Sequence, residues 1–523
     1  TSRSGLDASL TGSAISVKTT GGTARGLVLG ANVHAAGTVS LNDATTGGAI
    51  TRTGGTVSAT SLTLQASGAI GTTAAPILTN VDSLAGATAN GNVIVSNSGS
   101  LNVTSLATAD GSATIKGVTA GGAAGSVALT SATGDITLTQ NVTATGTTSV
   151  VSLSAPGGSL LESGTGRVVA TNATLQSQNP IGSGSSPFQT TVGTLAVATT
   201  NGGVFITNSQ AMTVGTVAPA TGGGNVVGVT AGGTGADVQL TTTTGNLVLN
   251  QAVTAVGDVV CLDSAGSIAS TSVVGADVVA TSASLESVSG VGSAGAAIKS
   301  DVHTLAAVGG TGGVFVNELD TTTVDGLTVG SVTCPDTSVT SGVTGTSASL
   351  TTQSGNLTLT SGVTVSGTGS LRTVAGNIVN NGGTVTAASA TLQAGGATGA
   401  VGAAGVGQAV VVDAPNVAGS SGTGGFFLTD PNASGLTVGS ITPAAGGTAV
   451  AGITSTGNVV LSATNGDLAV NNAVTATGST ASLTTGNGSI TVTNNITAGT
   501  TASLTTGNGS ITGAGTVTAT SAT

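Results

Sequence analysis

Hydrophobic and polar residues alternate along many short stretches of this chain. Ile136 and Leu138 flank Thr137, and the same alternation continues at residues 142–145. A period of two residues is typical of β-strands with one buried face. Gly, Asn and Asp separate these stretches, and no segment has the i, i+3, i+4, i+7 spacing of an amphipathic helix. The pattern therefore predicts an all-β protein built from many short strands.

These stretches recur with two periods. The segment GDITLTQNVTATGT begins at Gly134 and returns with steps of 111, 110 and 111 residues at Gly245, Gly355 and Gly466. Within this long step, ASLTTGNGSI occurs at Ala481 and again at Ala502, which is a step of 21 residues. We therefore expect coils of about 22 residues, of which about five make one super-repeat of about 110 residues.

The phrase TLQ and its variants mark the repeat boundaries. They divide the chain into a partial repeat at 1–59, repeats at 60–170, 171–280 and 281–388, and a last repeat with extra tandem coils at 389–523. We expect all of them to form one continuous solenoid. Both ends fall inside a repeat, so we expect the chain to be a window cut from a longer array.

The inner period favours a parallel β-helix, because a coil of about 22 residues can bury its apolar face only against the next coil. About 24 coils at ~4.8 Å per coil predict a rod roughly 115 Å long. The main alternative is a row of antiparallel β-sandwiches, one per ~110 residues. The inner step argues against that alternative, because sandwiches have no such internal repetition.

Composition limits both the core and the partners. The 523 residues include 87 Gly, five Phe and no Trp or Tyr, only 5% are charged, and the formal net charge is −11. Without large aromatic side chains, the core must be shallow and stacked. Eight Lys plus Arg and a lack of stacking aromatics argue against nucleic-acid binding. No apolar run approaches the ~18 residues that a membrane-spanning helix needs.

Few residues are suited to chemistry. Cys261 and Cys334 are 73 residues apart, which is about three coils or roughly 16 Å in such a stack. A disulfide requires a Cα distance below ~7 Å, so we predict that both cysteines are unpaired and that Cys261 is a small residue equivalent to Ser152. His34 and His303 have no second His or Cys at zinc-ligand spacing.

Two further motifs have simpler explanations. Glu318, Asp320 and Asp325 form the densest acidic group and could ligate calcium, but the other repeats have neutral residues there, which favours a solvated loop. Gly290–Gly295 matches GxGxxG, yet one residue in six is Gly and no helix pattern follows, so we predict a turn. We therefore predict no catalytic residue, no cofactor and no metal site.

Two other functional classes stay open as alternatives. Carbohydrate-active enzymes also use parallel β-helices, but they need paired carboxylates that break the repeat, whereas Phe205, Phe315 and Phe426 recur at matching positions like ladder residues. Rows of outward Thr would suit an ice- or crystal-face-binding protein, although turns interrupt them. Sequons for N-glycosylation occur, among others, at Asn102, Asn141, Asn356, Asn432 and Asn495.

The assembled phrases resemble the repeat region of large bacterial exoproteins of the filamentous haemagglutinin and autotransporter-adhesin group. The resemblance lies in TLQASGAIG…PILTNVDSLAG, GGVFITNS…MTVGTV and GDITLTQNVTATGT. It implies a right-handed parallel β-helix, export across the bacterial envelope and a role in adhesion or cell-surface structure. We therefore expect a non-catalytic, secreted fibrous protein, either an adhesin stalk or a filament or biofilm-matrix component. Its partners would be a host or neighbouring cell surface, polysaccharide, or other copies of the chain joined end to end.

Overall fold

The computed structural model describes residues 4–21, 26–272, 274–321 and 326–523. Throughout these ranges the regular elements are β-strands, without any helix. Parallel strands stack into a β-solenoid with about 22 residues per turn and about 23 turns. The predicted all-β parallel β-helix is therefore confirmed, and the row of β-sandwiches is wrong. The right-handed sense of coiling stays a prediction.

The strands are short, and their bounds follow in chain order. The first part of the chain has strands Ser4–Leu6, Leu10–Gly12, Ile15–Thr19, Leu27–Leu29, Val33–Ala35, Thr38–Asp43, Ile50–Arg52, Val57–Ala66, Ile77–Thr88, Val93–Asn97, Leu101–Val103, Ser105–Ala107, Thr114–Lys116, Val118–Ala120, Val127–Ser131, Ile136–Leu138, Val142–Ala144, Val150–Ala155, Leu160–Glu162, Val168–Ser177, Phe188–Thr199, Val204–Asn208, Met212–Val214, Thr216–Val217, Val226–Val227, Val229–Thr230, Val238–Thr242, Leu247–Leu249 and Val253–Ser264. The remainder has strands Ser267–Ser270, Val278–Ser287, Gly290–Val291, Ile298–Val308, Val314–Glu318, Leu327–Val329, Ser331–Thr333, Val339–Ser341, Val343–Gly345, Ala348–Thr352, Leu357–Leu359, Val363–Val365, Thr368–Thr373, Ile378–Asn380, Thr384–Thr386, Ser389–Ala394, Ala400–Val401, Val410–Asp413, Asn416–Ser421, Gly425–Asp430, Leu436–Val438, Ser440–Ile441, Val450–Ala451, Ile453–Ser455, Val459–Ala463, Leu468–Val470, Val474–Ala476, Ala481–Thr485, Ile490–Val492, Ile496–Ala498, Thr501–Thr506, Ile511–Thr512, Val517–Thr518 and Ser521–Ala522.

The chain divides into two compact units, which we name the N-unit (Thr1–Asp258) and the C-unit (Val259–Thr523). A regular turn contains three short strands, and each strand pairs in parallel with a strand of the following turn. In the N-unit one such turn consists of Val127–Ser131, Ile136–Leu138 and Val142–Ala144. The first and third residues of the middle strand are completely buried, whereas Thr137 between them is only partly buried. The predicted alternation of inward apolar and outward polar residues is confirmed there.

The core consists of ladders of similar apolar side chains on successive turns. In the C-unit Leu350 pairs with Leu371, Leu371 pairs with Leu392, and all three are buried. Each buried aliphatic side chain stabilises the fold by about 1.5–3 kcal/mol relative to an exposed one. Many small contributions of this kind replace the thick aromatic core that the composition excludes.

The phenylalanines do not share one position. Phe205 and Phe315 each follow a completely buried valine and therefore lie on the other face of their strands. Phe426 is itself the completely buried inward residue, and Phe427 follows it. The prediction that Phe426 matches the other two is wrong by one position, because GGFFL contains two successive Phe residues that face opposite sides of the strand.

Candidate functional site: the β-hairpin arms

Four antiparallel β-hairpins leave the parallel turns at intervals of about 110 residues. We name them arm 1 (104–117), arm 2 (215–228), arm 3 (330–342) and arm 4 (439–452). Positions that correspond between these steps are called equivalent below. The arms are the main departure from a plain solenoid, and they carry most of the chemically distinctive residues.

A glycine closes the base of every arm. In arm 2 the N–H of Gly228 donates a hydrogen bond to the carbonyl of Gly215 at 2.8 Å. Gly228 has φ +67°, and a Cβ added there would lie 2.3 Å from the carbonyl oxygen of Ala252. The equivalent residues have φ values of 64°, 70° and 71° at Gly117, Gly342 and Gly452. Because side chains rarely adopt this backbone conformation, the arm base requires glycine.

A small residue lies beneath each arm. In strand Phe188–Thr199, the residues on either side of Ala196 pair with two different strands, which lie before and after arm 2. Ala196 is completely buried and packs with Val217 and Val226 of the arm. Alanine also occupies the equivalent buried positions, at Ala85, Ala306 and Ala418. The arm can therefore lie flat on the outer face because no larger side chain lifts it.

The substitution Ala196→Leu is expected to displace arm 2. Its added volume has no space between the sheet and Val217, and overpacking of this kind costs typically 1–3 kcal/mol. Limited proteolysis should then cleave the arm loop at 218–225 faster than in the unchanged chain. Thr216→Leu is the matched control, because Thr216 is exposed on the opposite face of the same arm. Equal cleavage of both variants would contradict the packing argument.

A polar contact fixes three of the arms to the outer face of the sheet. In arm 2 the backbone N–H of Ala220 donates to Oγ of Ser152 at 2.8 Å. The hydroxyl of Thr174 donates to the same Oγ, also at 2.8 Å. The equivalent bonds run from Ala109 to Ser40 at 2.7 Å in arm 1 and from Ala444 to Ser370 at 2.8 Å in arm 4.

A disulfide bond takes the place of this hydrogen bond in arm 3. Cys261 is equivalent to Ser152 and Cys334 to Ala220, and the Cα atoms of the two cysteines are 6.0 Å apart. The prediction that both cysteines are unpaired is therefore wrong. The expected separation of roughly 16 Å placed Cys334 in the regular stack of turns, whereas it lies in an arm that folds back over earlier turns.

Acidic side chains lie near this disulfide. Burial raises the pKa of Asp263, and the carboxylates of Glu286 and Asp336 raise that pKa further. The hydroxyl of Thr340 in arm 3 donates to Glu286 and accepts a hydrogen bond from Ser284 at 2.8 Å. Polar contacts therefore hold arm 3 in addition to the disulfide. Across the described ranges, no group of three His, Cys, Asp or Glu side chains is placed to hold a metal ion.

The predicted acidic loop is not solvated where the structure describes it. Glu318 is completely buried and Asp320 is 8% exposed, while Asp325 lies outside the described residues. Asp320 accepts hydrogen bonds from the backbone N–H groups of Gly326 at 3.0 Å and Ser354 at 3.1 Å. The solvated-loop prediction is wrong for Glu318 and Asp320, because both carboxylates bond to groups of the protein rather than to solvent alone.

Glu318 belongs to a set of four completely buried polar residues at equivalent positions. Asn97 accepts a hydrogen bond from the N–H of Val81 at 2.9 Å and donates one to the Val81 carbonyl at 3.0 Å. Asn208 makes the same two bonds to Val192, at 2.9 and 3.0 Å. An amide suits this position because it supplies a donor and an acceptor together.

Carboxylates replace the amide in the C-unit. Glu318 accepts hydrogen bonds from the hydroxyl of Ser300 at 2.6 Å and from the N–H of Val302 at 3.1 Å. Burial nevertheless raises the pKa of Glu318 to about 7. At the next equivalent position, burial raises the pKa of Asp430 to about 6. The Oδ2 atom of Asp430 is buried and has no hydrogen-bond partner among the described residues.

The remaining candidates from the sequence have structural roles or lie at the surface. Gly290–Gly295 lies in a turn, as predicted, in which Ser293 and Ala296 exchange backbone hydrogen bonds of 3.0 and 3.1 Å. His34 and His303 are both exposed. The four arms, the disulfide and the buried carboxylates are thus the features that distinguish one repeat from another.

A sequence signal for the arms exists, although it is weak. Val332 and Val339 stand on either side of a short segment that contains Pro335 and Asp336, and Val217 and Val226 flank a segment that contains Pro219. Two short strands around such a segment are typical of a β-hairpin. Once Cys334 is assigned to a hairpin rather than to a coil, its sequence distance from Cys261 no longer sets their separation.

No family model, no curated protein and no solved structure matches this chain. In the ranges that the structure covers, no helix has the length and apolar character needed to cross a membrane. The β-solenoid is therefore established by the structure of this chain itself, and the resemblance to bacterial exoprotein repeats rests on its sequence phrases.

Proposed function

We propose that this chain is a non-catalytic structural segment of an exported bacterial surface protein, either an adhesin stalk or a component of extracellular filaments or matrix. Its function is to hold repeated outer surfaces in a fixed arrangement. Weak contacts that recur on such surfaces can add to a strong overall attachment without any single tight site.

One observation supports the proposal above the others. The disulfide between Cys261 and Cys334 stands where the equivalent arms have a hydrogen bond from a backbone N–H to a serine hydroxyl. Disulfides form and persist mainly in oxidising compartments, which include the cell surface and the extracellular space. The bond also joins two parts of the scaffold without serving any neighbouring catalytic group. Both facts favour an exported protein whose role depends on a maintained shape.

The proposal can be tested on cells that express the native protein. Antibodies against the repeats, detected by immunogold electron microscopy of intact cells, should label the cell exterior as spikes or as continuous fibres. Spikes rooted in the envelope would favour the stalk, and continuous fibres would favour the filament. Alkylation of the same material without a reductant should leave Cys261 and Cys334 unmodified. Label confined to the cytoplasm, together with alkylated cysteines, would overturn the proposal.

A further inference from the structure

A cleft of about 410 Å³ lies between arm 4 and the outer face of the sheet in the C-unit. Thr351, Arg372 and Gln393, from three successive strands, form its floor. Pro443 and Thr448 of arm 4 form part of its wall. The hydrogen bond that fixes arm 4 to the sheet therefore also fixes the position of this wall.

The floor of this cleft breaks the repeat at one position. Arg372 is equivalent to Asn42, Ser154 and Asp263, whereas Gln393 has Gln at two of the three equivalent positions. The side chain of Arg372 is exposed, and the residues that line the cleft include no Asp or Glu. Its positive charge is therefore available to a ligand. In a structural repeat, a charge at one copy of an otherwise uncharged or acidic position points to a local function.

The chemistry of the lining selects a class of ligand. A guanidinium presents parallel N–H donors that match a planar carboxylate in a two-bond geometry. The hydroxyls of Ser349 and Thr351 and the amide of Gln393 supply neutral donors and acceptors for sugar hydroxyls. A volume of about 410 Å³ falls within the range of small-ligand pockets. The formal charge of −11 disfavours densely charged polyanions, whereas one arginine balances one carboxylate.

We propose that the cleft beneath arm 4 binds a uronic acid residue of an acidic polysaccharide, with the Arg372 guanidinium pairing with the sugar carboxylate. The assignment deepens the proposed surface role and rests on it only for the source of the polysaccharide. Binding is tested on the purified chain, so it can fail while surface location holds, and the reverse is also true.

Arm 2 provides a matched control within the same chain. Arms 2 and 4 have the same loop turn, in which the N–H of Gly222 donates to the Pro219 carbonyl at 2.9 Å and that of Gly446 to the Pro443 carbonyl at 2.8 Å. The residue equivalent to Arg372 is Ser154. Arg372→Ser therefore copies arm 2 into arm 4, and Ser154→Arg does the reverse.

The test is isothermal titration calorimetry of the purified chain with a linear tetramer of galacturonic acid. We expect one site, at least tenfold weaker binding in Arg372→Ser, and a second site in Ser154→Arg. A neutral galactose tetramer should bind at least tenfold more weakly than the acidic one. Equal binding to the unchanged chain and Arg372→Ser would overturn the proposal. Equal binding of the neutral tetramer, or its acidic counterpart displaced by an equal concentration of inorganic phosphate, would also overturn it.

Discussion

Replacing Cys261 and Cys334 together by alanine is expected to lower the free energy of unfolding of the C-unit by about 4 kcal/mol. The disulfide closes a loop with a sequence separation of 73 residues. In the chain-entropy model, a cross-link over a loop of that length removes conformations of the unfolded chain worth about 4 kcal/mol. Urea denaturation of the oxidised chain and of the variant measures the difference. Hydrogen exchange of arm 3 locates it, because the arm should lose protection first.

The equivalent repeats define the control for this prediction. The double variant Cys261→Ser with Cys334→Ala recreates the pair that Ser152 and Ala220 form in arm 2. It should regain about 1 kcal/mol over the double alanine variant, since a net intramolecular hydrogen bond is worth about that amount. Equal stability of the two double variants would show that the serine contact contributes nothing. Unchanged exchange of arm 3 after reduction would show that the disulfide does not hold the arm.

The regular turns were predictable because their determinants are local. The alternation around Thr137 assigns a strand and its buried face, and the 21- and 22-residue steps assign the ladder partners. Each inference depends on side-chain period and coil length alone, and neither requires knowledge of distant packing. The parallel β-helix follows from those two quantities, and the structure confirms it.

The arms and the disulfide were not predictable in the same way, because they depend on a non-local contact. An arm folds back over a sheet that was completed two turns earlier, and only packing over Ala196 or its equivalents decides where the arm lies. The buried position of Glu318 was more accessible. It follows Val314 and Val316 at two-residue spacing, so the strand period places all three on one face. Attention to the acidic cluster obscured that signal.

Between about pH 4.5 and 7, the contribution of Glu318 to the stability of the C-unit is expected to fall as the pH rises. Its pKa is raised from 4.5 to about 7 in the folded chain. Below that interval the carboxyl is protonated in both states and costs nothing. Within it, the unfolded chain releases the proton while the folded chain retains it, which favours unfolding. Above pH 7 the full penalty of about 3 kcal/mol applies. Urea denaturation across this pH range measures it.

Two substitutions separate this titration from other effects of pH. Glu318→Gln keeps the shape of the side chain without its charge, so it should stabilise the C-unit by about 3 kcal/mol at pH 8 and leave it unchanged at pH 4. Parallel pH profiles for this variant and the unchanged chain would contradict the assignment. Asn208→Asp is the converse change in the N-unit. It replaces an amide that donates to the Val192 carbonyl with a carboxylate that cannot donate, so it should introduce the same fall in stability with rising pH where none is expected from Asn208. If Asn208→Asp instead leaves the N-unit equally stable at pH 4 and pH 8, burial at this position is not what raises the pKa of Glu318.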